Sequence, residues 1–373
     1  MIKALHICQR DDAATGGAAR VAVELVKRLP ECGVDTKCVF VYGPPGPFSR
    51  EISGRALHLG LASGREAFWR SDLLRECLRH EKPDIIHHHD GLSWTHWVTR
   101  GWHGSRCVGH AHLAPPPDGS PWRSRLANLL HRRTYEHLFC VSAATGQAWN
   151  QAGFPKTRTT EIVNGVDTLR FCPALTPEKV AIRTQWGIPA EDRVVGFVGR
   201  LDSRTKGCDD FIRTIAALPD GYWGVIAGTG PDEYTLKALA TELGVDHRIR
   251  FLGLVESVEQ VYRGMTVSVL TSYHETFGLV ILEAGASGVP VVAMPSVGGA
   301  GELIGRLGMG LLKARDIAAL GHAIVAVAEA AEKTPASLQS CRVQIEREFS
   351  WDASVAAVAR EYFKLLAAKV ATA

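Results

Sequence analysis

Short apolar runs alternate with amphipathic stretches along the whole chain. Residues 2–8, 37–42, 84–87, 106–110 and 138–141 are nearly continuous apolar runs, as expected of strands covered on both faces of a sheet. Between them, residues 18–32 and 122–137 repeat their apolar positions at helical spacing. Asn164-Gly165-Val166-Asp167 reads as a turn and Pro173 to Pro177 as a linker. The pattern then restarts with a strand over Val194–Val198, a helix over Asp209–Ala217 and a strand over Trp223–Ala227. Arg250–Leu252, Val267–Leu270 and Val289–Ala293 continue the series, and Ser350 is a suitable N-cap for a final helix reaching about Ala368. Strands alternating with helices predict an α/β protein with parallel sheets. Two such series predict two Rossmann-like doubly wound domains, residues 1–172 completed by the C-terminal helix 353–373, and residues 173–352.

Composition narrows the class. A chain of 373 residues is long enough for two cores, and 46% hydrophobic with 22% charged residues is ordinary for a globular protein. No apolar stretch is long enough to span a bilayer. The N-terminal run ends in Gln9-Arg10-Asp11-Asp12 without a small-residue cleavage site, so it reads as a first strand and not a signal peptide. Nine scattered cysteines without a Cys-x-x-Cys pair point away from a zinc framework and towards a reducing, cytoplasmic compartment. Charge is uneven. Residues 1–170 hold 22 Lys and Arg against 16 Asp and Glu, the remainder 20 against 23. That excess is either solvated faces or a surface for anionic material such as lipid phosphate. No nucleic-acid-binding pattern accompanies it.

Residues 272–285 carry the strongest chemical signal. A strand ends, a loop brings Glu275, and a helix begins near Gly278. Open α/β sheets bind ligands at the carboxyl ends of their strands, and free N–H groups at a helix start suit a phosphate. Glu283, inside that helix, can accept from ribose hydroxyls. Arg200 and Lys206 follow the strand 194–198, where two cations can hold a diphosphate and stabilise the charge that grows as it leaves. Gly16-Gly17 lie between the first strand and its helix, with backbone N–H groups able to face a phosphate or an acceptor. In His87-His88-His89-Asp90 adjacent side chains alternate between sheet faces, so this run is not read as a metal site; His89 or Asp90 is read as an acceptor-side contact. The helix around Trp122-Arg123-Ser124-Arg125 is either a solvated face or a peripheral contact with an anionic membrane at its inner surface. Gly228-Thr229-Gly230 lacks the third glycine of a dinucleotide fingerprint, which sets aside an oxidoreductase.

Glu275 and Glu283 stand in the E-x(7)-E arrangement, and the chain resembles the GT4-type retaining glycosyltransferases of GT-B fold over nearly its whole length. The ordered set that carries the resemblance runs from Gly16-Gly17 through His88-His89-Asp90, His112, Val141-Ser142 and Asn164-Gly165-Val166-Asp167. It continues through Gly199-Arg200-Leu201, Lys206-Gly207 and Gly228-Thr229-Gly230-Pro231 to Glu275–Glu283. The resemblance implies two domains facing each other across a cleft and transfer of a sugar from a nucleotide-diphosphate donor to an acceptor hydroxyl, with retention. It implies catalytic or positioning roles for Glu275, His112, Arg200 and Lys206. It implies donor contacts from Gly16, Gly17, Gly228, Gly230, Phe277, Gly278, Leu279 and Glu283, with no metal and no cofactor. UDP-sugar is favoured over GDP-sugar, and the acceptor is a saccharide or lipid-linked saccharide of bacterial polysaccharide or glycoconjugate assembly. His110 is a two-residue alternative to His112. Two departures stand out: no acidic-Gly turn follows Glu302, and Pro115-Pro116-Pro117 stiffens the loop after His112. A nucleotide-sugar epimerase or a non-catalytic partner subunit are the rival readings.

Overall fold

The computed structural model describes the chain except residues 12–16, 90–92, 103, 116–120, 334 and 371–373. It divides into two units, Met1–Gly165 with Trp351–Ala373, and Val166–Ser350.

The first unit is built on seven parallel strands: β1 (Ile2–Arg10), β2 (Val34–Tyr42), β3 (Ala56–Leu61), β4 (Ile85–His88), β5 (Arg106–Ala111), β6 (His137–Cys140) and β7 (Thr159–Glu161). Their order is β3-β2-β1-β4-β5-β6-β7. The second carries β8 (Arg193–Val198), β9 (Tyr222–Ala227), β10 (Ile249–Gly253), β11 (Val267–Leu270), β12 (Val291–Ala293) and β13 (Gly310–Leu311) in the order β10-β9-β8-β11-β12-β13. Both sheets reverse direction beside their first strand. The loops after β1 and β4, and after β8 and β11, therefore flank a switch point, where an open α/β sheet leaves a crevice for a ligand.

The units part between Gly165 and Val166, not at 172/173. Val166 pairs with Ser350 and donates its N–H to the Phe349 carbonyl. Arg342 holds the carbonyls of Thr168 and Phe171, and Phe171 packs edge-on against Tyr262. Residues 166–172 are thereby tied to the second unit. The final helix, Trp351–Val370, returns to the first unit, where Trp351, Val355, Val358 and Tyr362 share a core with Ala4, Val108 and Phe139.

Element ends differ where proline or brevity intervenes. The helix predicted over 18–32 spans Gly17–Arg28 and tightens into a 3₁₀ turn at Leu29–Cys32, because Pro30 has no N–H for the α ladder. The one predicted over 122–137 ends at Thr134, ahead of β6. Pro290 delays β12 to Val291. β3, β7 and β13 escape the pattern reading, the last two being only three and two residues long.

Candidate active site

The second unit's site grows from three strand ends. After β8 come Gly199, Arg200 and a short helix Ser203–Lys206; after β9, Gly228-Thr229-Gly230; after β11, the loop 271–278 and the helix Leu279–Ala286. The loops are laced together by backbone. Leu201 N–H donates to the Thr229 carbonyl at 3.0 Å, and Tyr273 N–H to the Thr205 carbonyl at 2.9 Å. Glu275 N–H donates to the Val297 carbonyl at 2.9 Å.

This lacing brings Lys206 and Glu275 together. The Lys206 ammonium donates to Glu275 Oε2 at 2.6 Å, with both side chains part-buried. Arg200 is exposed and has no ion-pair partner among the described residues. Gly278 caps the helix Leu279–Ala286 in the left-handed region at φ 91°, without a capping side chain, which suits the first N–H groups to an anion. Phe277 is buried at 5% exposure, so its ring belongs to the core and only its backbone borders the site. Inside the helix, Glu283 accepts from the Tyr262 hydroxyl at 2.8 Å. Burial first, and the neighbouring Glu283 charge second, push the Tyr262 phenol well above its usual pKa, so it stays a donor.

Tyr262→Phe is expected to cost about 1.5–3 kcal/mol, the worth of a hydrogen bond to a charged acceptor, and to weaken nucleotide binding because the Glu283 carboxylate loses its anchor. Urea denaturation and a nucleotide titration read the two effects; a variant unchanged in both would detach Glu283 from the site.

One residue escaped the sequence reading. Arg315, beyond β13, donates to the carbonyls of Thr271, Ser272 and Pro295. It also pairs with Asp210 and lies 3.7 Å over the Tyr273 ring. It clamps the root of the loop that presents Glu275. No local motif marks a lone arginine that far along the chain.

In the first unit Gly16 and Asp90 lie outside the described residues, and Gly17 opens the helix Gly17–Arg28. Asp11 anchors the start of that loop. Burial raises its pKa, but bonds from Ser49, Gly46 and His58 more than offset this and hold the carboxylate below its usual range. His89 and His112 meet, Nδ1 to Nε2, at 3.1 Å. His112 stands just past β5 and is part-exposed, whereas His110 is a buried β5 residue. Burial lowers the His112 pKa to about 3, so the ring is neutral near pH 7.

The run His87–His89 does alternate between faces. His88 turns to Thr99 and His96, while His87 and His89 stack with ring centroids 4.3 Å apart. Alternation along one strand does not govern what the neighbouring strands bring. His6 of β1 and His110 of β5 bring further imidazoles to the same face.

Two Rossmann-like units, the second with Lys206, Glu275 and a helix start gathered at its switch point, are the architecture of the GT-B glycosyltransferases. The chain belongs to the GT4-type glycosyltransferases: residues 178–338 match the family described as Glycosyl transferases group 1, and residues 15–170 match Glycosyltransferase Family 4. It is 30% identical over 297 residues to the lipopolysaccharide core biosynthesis glycosyltransferase LpsE of Rhizobium meliloti, covering 76% of this chain and 77% of that protein. It is 34% identical over 221 residues to D-inositol 3-phosphate glycosyltransferase of Mycolicibacterium smegmatis, covering 57% of this chain and 48% of that one. Among solved structures, Anabaena HepE in complex with UDP and glucose superposes with a TM-score of 0.85 at 22% identity, over 98% of this chain and 100% of HepE.

Proposed function

We propose that the protein transfers a glycosyl group from a UDP-sugar to a hydroxyl of a saccharide or lipid-linked saccharide acceptor, with retention, in bacterial glycoconjugate assembly. The observation that carries this is the Lys206–Glu275 pair, set between the β8 and β11 loops beside the start of the helix Leu279–Ala286. The complexes of HepE with UDP and with UDP-glucose support the choice of donor, and the lipopolysaccharide-core relative supports the acceptor class.

In this reading Glu283 holds the ribose. Arg200, Lys206 and the backbone of Gly228, Gly230 and Phe277–Leu279 hold the diphosphate. Glu275 orients the sugar. In the first unit His112, neutral near pH 7, offers a polar contact to a sugar; His89, buried with its ring nitrogens on His6 and His112, orients that ring, and Asp90 is kept as the acceptor-side residue. As the anomeric C–O bond to the diphosphate lengthens towards an oxocarbenium-like state, Arg200 and Lys206 neutralise the departing phosphate charge. The acceptor oxygen attacks from the same face and its proton passes to the leaving phosphate oxygen. Two cations and a helix start supply the charge a metal would otherwise provide, so neither a metal on the diphosphate nor a cofactor is required.

Thermal shifts with UDP, GDP, dTDP and ADP, with and without magnesium, test the donor site. UDP at 100 times its dissociation constant should add about 2.7 kcal/mol, equally in both buffers. A shift with another base, or only with magnesium, would overturn that part of the reading.

Among the described residues no helix is long and apolar enough to cross a membrane. We read contact with a membrane, for an acceptor that carries a lipid, as peripheral. The helix Pro121–Thr134 is formed, but its side chains up to residue 127 lie outside the described ones. A better-supported surface is Phe68, Trp69 and Trp97, 58%, 75% and 62% exposed. Their rings touch, Arg75 lies 5.2 Å over Trp97, and Arg65, Arg70 and Arg100 are exposed nearby in the sequence. Exposed aromatics among arginines suit an anionic headgroup layer. The wild type is expected to sediment with phosphatidylglycerol vesicles and not with phosphatidylcholine ones, and Trp69→Ala with Trp97→Ala to abolish this. Equal sedimentation of the double variant would remove the patch.

A further inference from the structure

The first unit holds a cluster of imidazoles that glycosyl transfer does not use in full. His6 from β1, His87 from β4, His89 just after it, and His110 from β5 are all buried on one face of the sheet, and His112 extends the group past the end of β5. Two sets of three have one ring nitrogen per residue within 4.8 Å of the others: His6, His87 and His89; and His89, His110 and His112. Close packing of this many polar rings in a core is costly unless each nitrogen finds a partner. Only some do. His6 Nδ1 shares a hydrogen bond with His89 Nε2 at 2.9 Å, His89 Nδ1 one with His112 Nε2, and His87 Nδ1 one with the Tyr362 hydroxyl. Among the described residues, His6 Nε2, His87 Nε2 and both nitrogens of His110 are buried without a partner. Buried polar atoms in that state call for an explanation, and for His87 Nε2 an ion is one.

We propose that His6, His87 and His89 bind one divalent transition-metal ion of the zinc type, at a site whose ligands all lie in the first unit and which does not rest on the donor reading. The chemistry of the set fits. Neutral imidazole is the ligand form preferred by zinc, nickel and copper, and the surroundings keep these rings uncharged. His87 offers Nε2, because its Nδ1 is held by Tyr362. His6 and His89 offer the two nitrogens that now share a proton. That proton moves to His6 Nε2, so the ring stays neutral as the metal takes its place. Zn–N bonds of about 2.0–2.1 Å put nitrogens about 3.4 Å apart around a tetrahedral ion, so nitrogens that all lie within 4.8 Å of one another need to close by no more than about 1.4 Å. An outer shell is already in place: Tyr362 behind His87 and His112 behind His89, the arrangement that orients ligating histidines. The ion would tie β1 to β4 and fix the ring of His89, which in turn holds His112.

The site is tested on the full chain made without a polyhistidine tag, stripped with a chelator and titrated with Zn²⁺ or Co²⁺ alone. One equivalent is expected to bind, Co²⁺ developing the strong visible absorption of a low-coordinate nitrogen site. His6→Asn should weaken binding by at least about 10-fold, and His110→Asn should leave it within about threefold, because His110 belongs to the other set. Far-UV circular dichroism establishes that each variant is folded. If His6→Asn does not fold, the wild-type stoichiometry and Co²⁺ spectrum decide alone. No stoichiometric binding, or affinity lost in His110→Asn and kept in His6→Asn, would overturn the assignment.

Discussion

Glu275→Ala is expected to lower turnover by about 10²–10³-fold, the scale on which one preorganised electrostatic contact at a reacting centre acts. The carboxylate does two things at once. It faces the sugar side of the proposed donor site, and it holds the Lys206 ammonium at 2.6 Å. Removing it leaves Lys206 in place but no longer aimed. UDP itself, lacking the sugar, should still bind within a few-fold of the wild type, so a UDP titration separates lost chemistry from lost binding. Glu275→Gln keeps a hydrogen-bond acceptor without the charge and should recover only part of the rate. The fold should survive, because the loop is held by backbone bonds to Thr205 and Val297 and by Arg315, none of which uses the Glu275 side chain. Lys206→Ala, by contrast, should weaken both UDP binding and turnover. Steady-state UDP release reads all three variants; near-normal turnover in Glu275→Ala would remove this residue from the chemistry.

Gly228→Ala is expected to be the most damaging single methyl group in the second unit. Gly228 sits at φ +138°, and a Cβ there would lie 1.9 Å from the Gly199 carbonyl oxygen and 2.9 Å from its carbon. Both obstacles are backbone, so no side chain can swing away. Relief requires pulling the β8 loop off the β9 loop, which breaks the bond from Leu201 N–H to the Thr229 carbonyl and carries Arg200 with it. Strained φ and overpacking each cost about 1–3 kcal/mol. Together they amount to roughly 3 kcal/mol or more, a fall in Tm of about 10 °C for a domain of this size. Gly244→Ala is the control. It has φ +68° and nothing within 4 Å of the added carbon, so it should cost only the conformational strain, about 1–2 kcal/mol. Equal losses in the two variants would show that crowding between the loops is not what Gly228 relieves.

Much of this candidate site is legible in the sequence. Glu275, Gly278 and Glu283 announce themselves because one strand, one loop and one helix carry all three, and their spacing is local. Arg200 and Lys206 follow the same logic after β8. Their ion pairing is a different matter. Lys206 and Glu275 lie on separate strand ends, and only the β8–β11 pairing makes them neighbours. Arg315 is further from legibility still: its clamp on Thr271 and Ser272 depends on where the chain goes after β13. The histidines show the same limit. Alternation along β4 correctly sends His88 away from His87 and His89, but the His6 and His110 rings come from strands that are neighbours only in the assembled sheet.

Periodic and local features are set by the amino-acid sequence alone: strands buried on both faces, amphipathic helices, glycines where the backbone must turn, and acids and cations at strand ends. These follow from short-range geometry, which the chain carries in its spacing. The tertiary structure decided what depends on strand order. That includes the crossing at Gly165/Val166, the partner of each charge, the burial of Phe277, the Tyr262 support beneath Glu283 and the gathering of the imidazoles. Each of these joins residues far apart in the chain, and their meeting is set by which strands lie side by side.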